Sequence, residues 1–256
     1  MSSVQITGLD KALRVVSGID KQARYASSLT LNTLARYPVK DALQLEMRDS
    51  LDRPTPFTLN SLAVTKIATA ASLSAHVGFK QVSGGARPAS AYLRWQVGGG
   101  QRRLKAFELM LRSVIPQLHD GYYLVPGRGA KLDAYGNVER GQITAILSYF
   151  RAFPEQGRGY KMNSTPETRR RMAKGTRSKF GYRYFVGRPG GRGELGIYQD
   201  VRITTGVREL LPIFKVVQWA RYEPRLDLRY AADRVVQREA GPVFRAALAQ
   251  ALRSAR

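Results

Sequence analysis

Cysteine is absent from this 256-residue chain, which excludes a disulfide framework and any thiolate metal site. The two histidines, His76 and His119, are too few to anchor zinc unaided. No apolar run approaches the roughly 18 residues of a membrane span. The opening Met1-Ser2-Ser3-Val4 lacks the basic and apolar regions of a secretory signal. These absences predict a protein made and used without Sec export, with no membrane partner. Catalytic signatures are missing as well: there is no H-E-x-x-H, no G-x-S-x-G and no Walker motif. A nuclease needs clustered carboxylates for its metal, and the 19 acidic residues are scattered. Asp41, Glu46 and Asp49 share a predicted helix and read as a solvated face, while Asp120, Asp133, Glu139 and Glu194 fall near turns. Hence the sequence predicts no catalytic residue, no metal and no cofactor.

What the chain has in excess is positive charge: 42 lysines and arginines give a formal net charge of +23. Such an excess favours contact with a polyanion or with an acidic protein surface. It is unevenly spread. Residues 151–192 hold twelve basic residues and only two acids, Glu155 and Glu167. Within that stretch Ser164-Thr165-Pro166-Glu167 predicts an N-cap region and helix start, Gly175 the helix end, and Tyr182–Val186 and Leu195–Tyr198 a hairpin around a Gly187–Gly193 tip. Arg169, Arg170, Arg171, Lys174, Arg177, Lys179, Arg183, Arg188 and Arg192, interleaved with Phe180, Tyr182 and Tyr184, are the candidate contact residues. They suit an assembly interface, sequence-independent contact with a phosphate backbone, or a merely solvated surface. Arg102 and Arg103, after the loop Gly98-Gly99-Gly100, form a second candidate, because consecutive backbone N–H groups can cradle phosphate. That loop lacks the lysine and hydroxyl residue of a nucleotide P-loop.

The hydrophobic fraction of 43% predicts a folded chain. The last fifty residues organise it. Ile213–Val217 reads as a buried strand, Tyr222-Glu223-Pro224-Arg225 as a connector, and Asp227 as the N-cap of a long amphipathic helix. Its apolar stripe runs through Leu228, Ala231, Ala232, Val235 and Val236, then Val243, Phe244, Ala247, Leu248, Ala251 and Leu252. Gly241-Pro242 predicts a kink, and Glu239 sits oddly within the stripe, where an interface or an ion pair with an arginine suits it better than catalysis. The helix is expected to lie on a sheet.

Earlier in the chain, Val4–Ser17 predicts a short strand and a helical turn punctuated by Gly8 or Gly18. Asp20 then caps a helix that bends or divides at Pro38. Residues 63–68 and 72–79 alternate with period two and predict a hairpin that turns His76 to solvent. Gly84–Pro88 reads as a loop, Tyr92–Val97 as a short element, Phe107–Val114 and Gln142–Phe150 as helices, and Tyr122–Pro126 as a strand. Asp133–Asn137 is a turn. The sum is an α+β fold: a mostly antiparallel sheet packed by N-terminal and C-terminal helices, with long basic loop and hairpin insertions. It is expected to form one elaborated domain over 1–256, with 84–192 as an insertion.

Two ends of the chain carry a family resemblance. Ala35-Arg36-Tyr37-Pro38-Val39, Asp52-Arg53-Pro54-Thr55-Pro56-Phe57-Thr58, Gly196-Ile197-Tyr198, Leu211-Pro212-Ile213-Phe214 and Tyr222-Glu223-Pro224-Arg225-Leu226-Asp227, with the alanine-rich helix closing at Leu252-Arg253, resemble the tail-completion and minor tail proteins of tailed bacteriophages, especially the prophage minor tail protein Z family. The resemblance implies a non-enzymatic virion component at the head–tail junction or upper tail, assembling as a homo-oligomeric ring. Its implied partners are portal, adaptor, neck or tail proteins, with non-specific contact to genomic DNA where a basic lumen meets it. A packaging or condensing factor that binds nucleic acid is the alternative that charge alone supports.

Overall fold

A computed structural model describes residues 9–82, 87–154, 162–177, 179–204 and 206–254. The expected strand at Val4 and part of the Gly84–Pro88 loop lie outside the described residues. Where one domain is expected, the contacts divide the chain into two compact units, Met1–Gly99 with Glu223–Arg256, and Gly100–Tyr222. The inserted portion therefore runs from Gly100 to Tyr222 rather than from 84 to 192.

The first unit contains α1 (Leu9–Arg36), α2 (Pro38–Ser50), α3 (Pro56–Leu59), β1 (Leu62–Lys66), β2 (His76–Phe79), α4 (Ala89–Gly98) and the terminal helix α8 (Leu228–Ser254). Proline has no N–H to offer a preceding turn, so Pro38 starts α2, and Tyr37 breaks the helical path with φ −116° and ψ −88°. Glycine has the opposite effect from the one expected at position 18. α1 runs through Gly18 and Asp20, because a single glycine costs a helix of this length only about 1 kcal/mol. Asp20 pairs with Arg24 one turn on instead of capping.

The terminal helix begins as expected: the Asp227 side chain accepts from the Tyr230 N–H at 2.9 Å. It packs along α1 and α2. Leu34, Val39, Leu43, Met47, Leu62, Leu93, Leu226 and Val235 form one core, with Val77 and Phe79 of the antiparallel β1–β2 pair against it. The sheet under the terminal helices is therefore this small hairpin, whose exposed His76 confirms the predicted facing. α8 continues through Pro242, where Gly241 and Pro242 are exposed and the turn lacking its N–H faces water. Val235, Ala247 and Ala251 are buried, whereas Val236 and Leu252, expected in the stripe, are exposed. Glu239 is neutralised by its neighbour Arg238 at 2.7 Å.

The second unit contains β3 (Gly100–Gln101), α5 (Ala106–Arg112), β4 (Tyr123–Pro126), α6 (Arg140–Tyr149), α7 (Pro166–Lys174), β5 (Gly175–Thr176), β6 (Lys179–Phe180), β7 (Tyr182–Gly187), β8 (Gly196–Thr204), β9 (Val207–Val217) and β10 (Arg221–Tyr222). Its main sheet is antiparallel with strand order β4-β9-β8-β7. Strand alternation sends Tyr184, Ile197 and Phe214 to one face, where they join Leu111, Ile115, Ile146 and Leu147 in the core. Pro212 occupies an interior strand, a place from which its missing N–H normally bars it. The register moves from Ile197↔Phe214 to Tyr198↔Pro212, so Ile213 is the extra residue of a bulge that accommodates the proline. The class is α+β, as the sequence predicts.

Candidate interaction surface

The basic stretch folds into a short helix followed by a tight turn of strand. The Thr165 hydroxyl accepts from the Thr168 N–H at 3.2 Å and caps α7, and Pro166 fills its first turn. Gly175 then ends the helix at φ +77°, a backbone conformation that only glycine adopts without strain. The chain reverses through the β5–β6 pair, Gly175↔Phe180 and Thr176↔Lys179. Gly181 closes the arrangement: a Cβ there would lie 2.2 Å from the Ala173 carbonyl oxygen, so the chain leaving β6 is pressed against the end of α7. A compact basic knob results, packed on β7 through α7.

The candidate cations divide by what surrounds them. Arg170, Arg171, Lys174, Arg177, Lys179 and Arg192 are exposed and have no anionic partner among the described residues. Arg169 is half-buried with its guanidinium 5.9 Å from the centre of the Tyr149 ring. Arg188 braces the β7–β8 turn by donating to the Gly193 carbonyl at 3.3 Å. Arg183, another candidate contact residue, is exposed but already paired. It donates to Asp200 at 2.9 Å from β7, while Arg208 donates to the other oxygen of the same carboxylate at 2.5 Å from β9. The Arg208 hydrogen bond, reinforced by Arg183, outweighs burial and holds the Asp200 carboxyl below the usual carboxylate range. Sequence distance conceals this arrangement, since Arg208 lies outside the basic stretch.

The second candidate is overturned at Arg102. Arg102 is 8% exposed and forms a two-pronged ion pair with Glu108, at 2.7 and 2.6 Å. Glu108 is 1% exposed and also accepts from the backbone N–H groups of Lys105 and Leu124. Burial alone pushes a carboxyl upward, but these donors outweigh it and the Glu108 carboxyl lies below its ordinary value. The Gly98–Gly100 cradle does not form either. The Gly99 N–H is spent on the Trp95 carbonyl, and Gly100–Gln101 is paired with Arg221–Tyr222. Arg103 remains exposed, and its carbonyl accepts from Arg102 at 3.1 Å.

The ion pair has a further effect on the sheet. Leu124 lies on β4 opposite Val216, and both of its backbone groups point away from β9: its N–H reaches Glu108 and its C=O accepts from Arg102 at 3.3 Å. Arg102 and Glu108 thus stand where a further strand would, and Pro126, the next outward residue, has no N–H to offer. One edge of the sheet is sealed by side chains.

Elsewhere, an apolar hollow of about 500 Å³ in the first unit is lined by Leu34, Val39, Leu43, Phe79 and Leu228, with Arg229 as its ionisable neighbour. Among the described residues no group of three or more His, Asp or Glu is placed to hold a metal ion, and no helix is long and apolar enough to cross a membrane. No known family, curated protein or solved structure matches the chain.

Proposed function

We propose that this chain is a non-enzymatic structural protein of a tailed bacteriophage, stationed at the head–tail junction or upper tail. It assembles as a homo-oligomeric ring and binds neighbouring virion proteins such as portal, adaptor, neck or tail components. The observation that carries the reading is the way the residues of family resemblance fall together. Val39, beside the α1–α2 break, shares one core with Leu226, in the connector that leads into the terminal helix. Ile197 and Phe214, from the two strand signatures, are direct partners in the sheet. Segments far apart in sequence thereby act as parts of common cores, which supports treating the resemblance as one of fold rather than of scattered short motifs. The inserted second unit carries the basic knob, a surface for contact with assembly neighbours.

A second reading, a nucleic-acid-binding packaging or assembly factor, is favoured by the exposed unpaired cations of α7 and the β5–β6 turn, which suit a phosphate backbone without reading sequence. Quantitative mass spectrometry of purified particles, with cross-linking to identify neighbours, separates the two. A fixed ring-like copy number with cross-links to portal, neck or tail proteins is the expected result. Absence from mature particles despite expression during infection overturns the virion assignment in favour of the second reading.

A further inference from the structure

The two edges of the main sheet are treated differently. The β4 edge is closed by Arg102, Glu108 and Pro126, as described above. The β7 edge is built from six residues, Tyr182–Gly187, with no proline and no bulge in its pairing with β8. The direction of its hydrogen bonds follows from the flanking contacts. The Arg202 N–H reaches the Gly181 carbonyl, and the Val216 N–H reaches the Leu195 carbonyl. Alternation along β8 then makes Arg183↔Asp200, Phe185↔Tyr198 and Gly187↔Gly196 the bonded pairs of β7 with β8. The N–H and C=O groups of Tyr182, Tyr184 and Val186 therefore point outward, and among the described residues nothing donates to or accepts from them. Three donors and three acceptors, spaced for an extended chain, line this edge.

We propose that the β7 edge receives an extended, acidic segment of another protein as a fifth strand of the sheet. Such an edge is a template for main-chain pairing. Cations without an acidic partner set the character of the incoming strand: Arg192 follows β7 together with Arg188, and Arg170, Arg171 and Lys174 are carried by the helix packed on it. Glu167 is the single acid among the described residues from 162 to 193, and it lies in the first turn of α7. A second copy is a poor occupant. Pairing β7 antiparallel with itself sets two equally basic edges against each other, each followed by Arg188 and Arg192, and like charges across a ladder are destabilising. The segment rests on the reading of the basic stretch as a contact surface, and the inference commits that surface to a foreign acidic strand; it does not depend on the virion assignment, which particle composition tests separately.

The test uses the full chain and a synthetic nine-residue peptide of alternating glutamate and valine, with residue-resolved hydrogen exchange as the readout. Binding is expected to slow exchange at the Tyr182, Tyr184 and Val186 amides at least about tenfold, leaving the β8–β9 ladder unchanged. Val186→Pro removes one outward N–H and no β7–β8 bond, and is expected to abolish the protection. Arg171→Glu with Arg192→Glu changes exposed cations outside the strand and keeps the test decisive if the proline variant misfolds; it is expected to weaken binding at least about tenfold. An alternating lysine and valine peptide is expected not to bind. The proposal is overturned if the acidic peptide fails to protect those three amides, if the lysine peptide protects them equally, or if a 20-base-pair DNA duplex protects them in its place.

Discussion

Replacing Glu108 by alanine tests the sheet-edge argument at its most demanding point. In the folded chain this carboxylate receives two hydrogen bonds from Arg102 and one each from the backbone N–H groups of Lys105 and Leu124, and both charged side chains are almost wholly buried. The variant leaves a guanidinium without its counter-charge in a dry site and strips a partner from two backbone donors. Losing one member of a buried ion pair costs about 3–5 kcal/mol. At about 1.4 kcal/mol per decade, that is a loss of roughly two to three and a half decades in the folded-to-unfolded ratio. Because Arg102, Glu108 and β4 belong to the second unit, the loss is expected there. Peptide-resolved hydrogen exchange should show the β4, β8 and β9 amides losing protection by about that factor while the α1, α2 and α8 amides keep theirs. The double variant Arg102→Met, Glu108→Leu removes both charges and is expected to recover more than half of the loss, since no buried charge is then left unpaired. A less than tenfold change in the single variant, or an equal loss in both units, would refute the account of Arg102 as a structural rather than a contact residue.

Three other outcomes follow from particular contacts. Gly181→Ala puts a methyl group 2.2 Å from the Ala173 carbonyl oxygen, where backbone must move; limited proteolysis should show residues 166–187 becoming cleavable under conditions in which the wild-type chain resists. Thr165→Ala removes the cap from α7 and is expected to cost about 1 kcal/mol locally, read as faster exchange of the α7 amides with no change in β8 or β9. Asp200 and Glu108 both have folded-state carboxyls below their ordinary values, so their stabilisation is complete at neutral pH and is lost as pH falls below the normal carboxylate range of about 4. Urea titrations at pH 7 and pH 3 should therefore show less acid destabilisation in Asp200→Asn than in the wild-type chain.

Local signals carried well from sequence to structure because their causes are local. The Thr165-Pro166 start and Gly175 end of α7, the Asp227 cap, the Tyr37-Pro38 break and the Asp133–Asn137 turn each depend on a side chain and backbone within a few residues. Gly18 misled because a glycine weakens a helix without ending it, and the tertiary contacts of α1 decide the outcome. The division into two units was hidden for a related reason: the terminal helix completes a core begun by residues two hundred positions earlier, and no periodicity within either segment reveals that pairing.

The arginines show the same limit most clearly, because charge is visible in sequence whereas neutralisation is not. Arg102 follows a glycine run and has the composition of an anion-binding loop, yet Glu108 lies in the first turn of α5, close enough to fold back on it and on Leu124. Arg183 sits in the densest basic stretch and is nevertheless claimed by Asp200, a residue on the adjacent strand. Both acids are buried, and a buried carboxylate requires a cation beside it more strongly than an exposed arginine requires an acid. The few acids of this chain therefore decide which cations become structural: Arg102 is buried beside Glu108, and Arg183 and Arg208, though exposed, are engaged by Asp200. Arg170, Arg171, Lys174, Arg177, Lys179 and Arg192 are left facing solvent, without an acidic partner among the described residues. Candidate contact residues are thus better sought by first placing the buried acids than by counting basic residues along the chain.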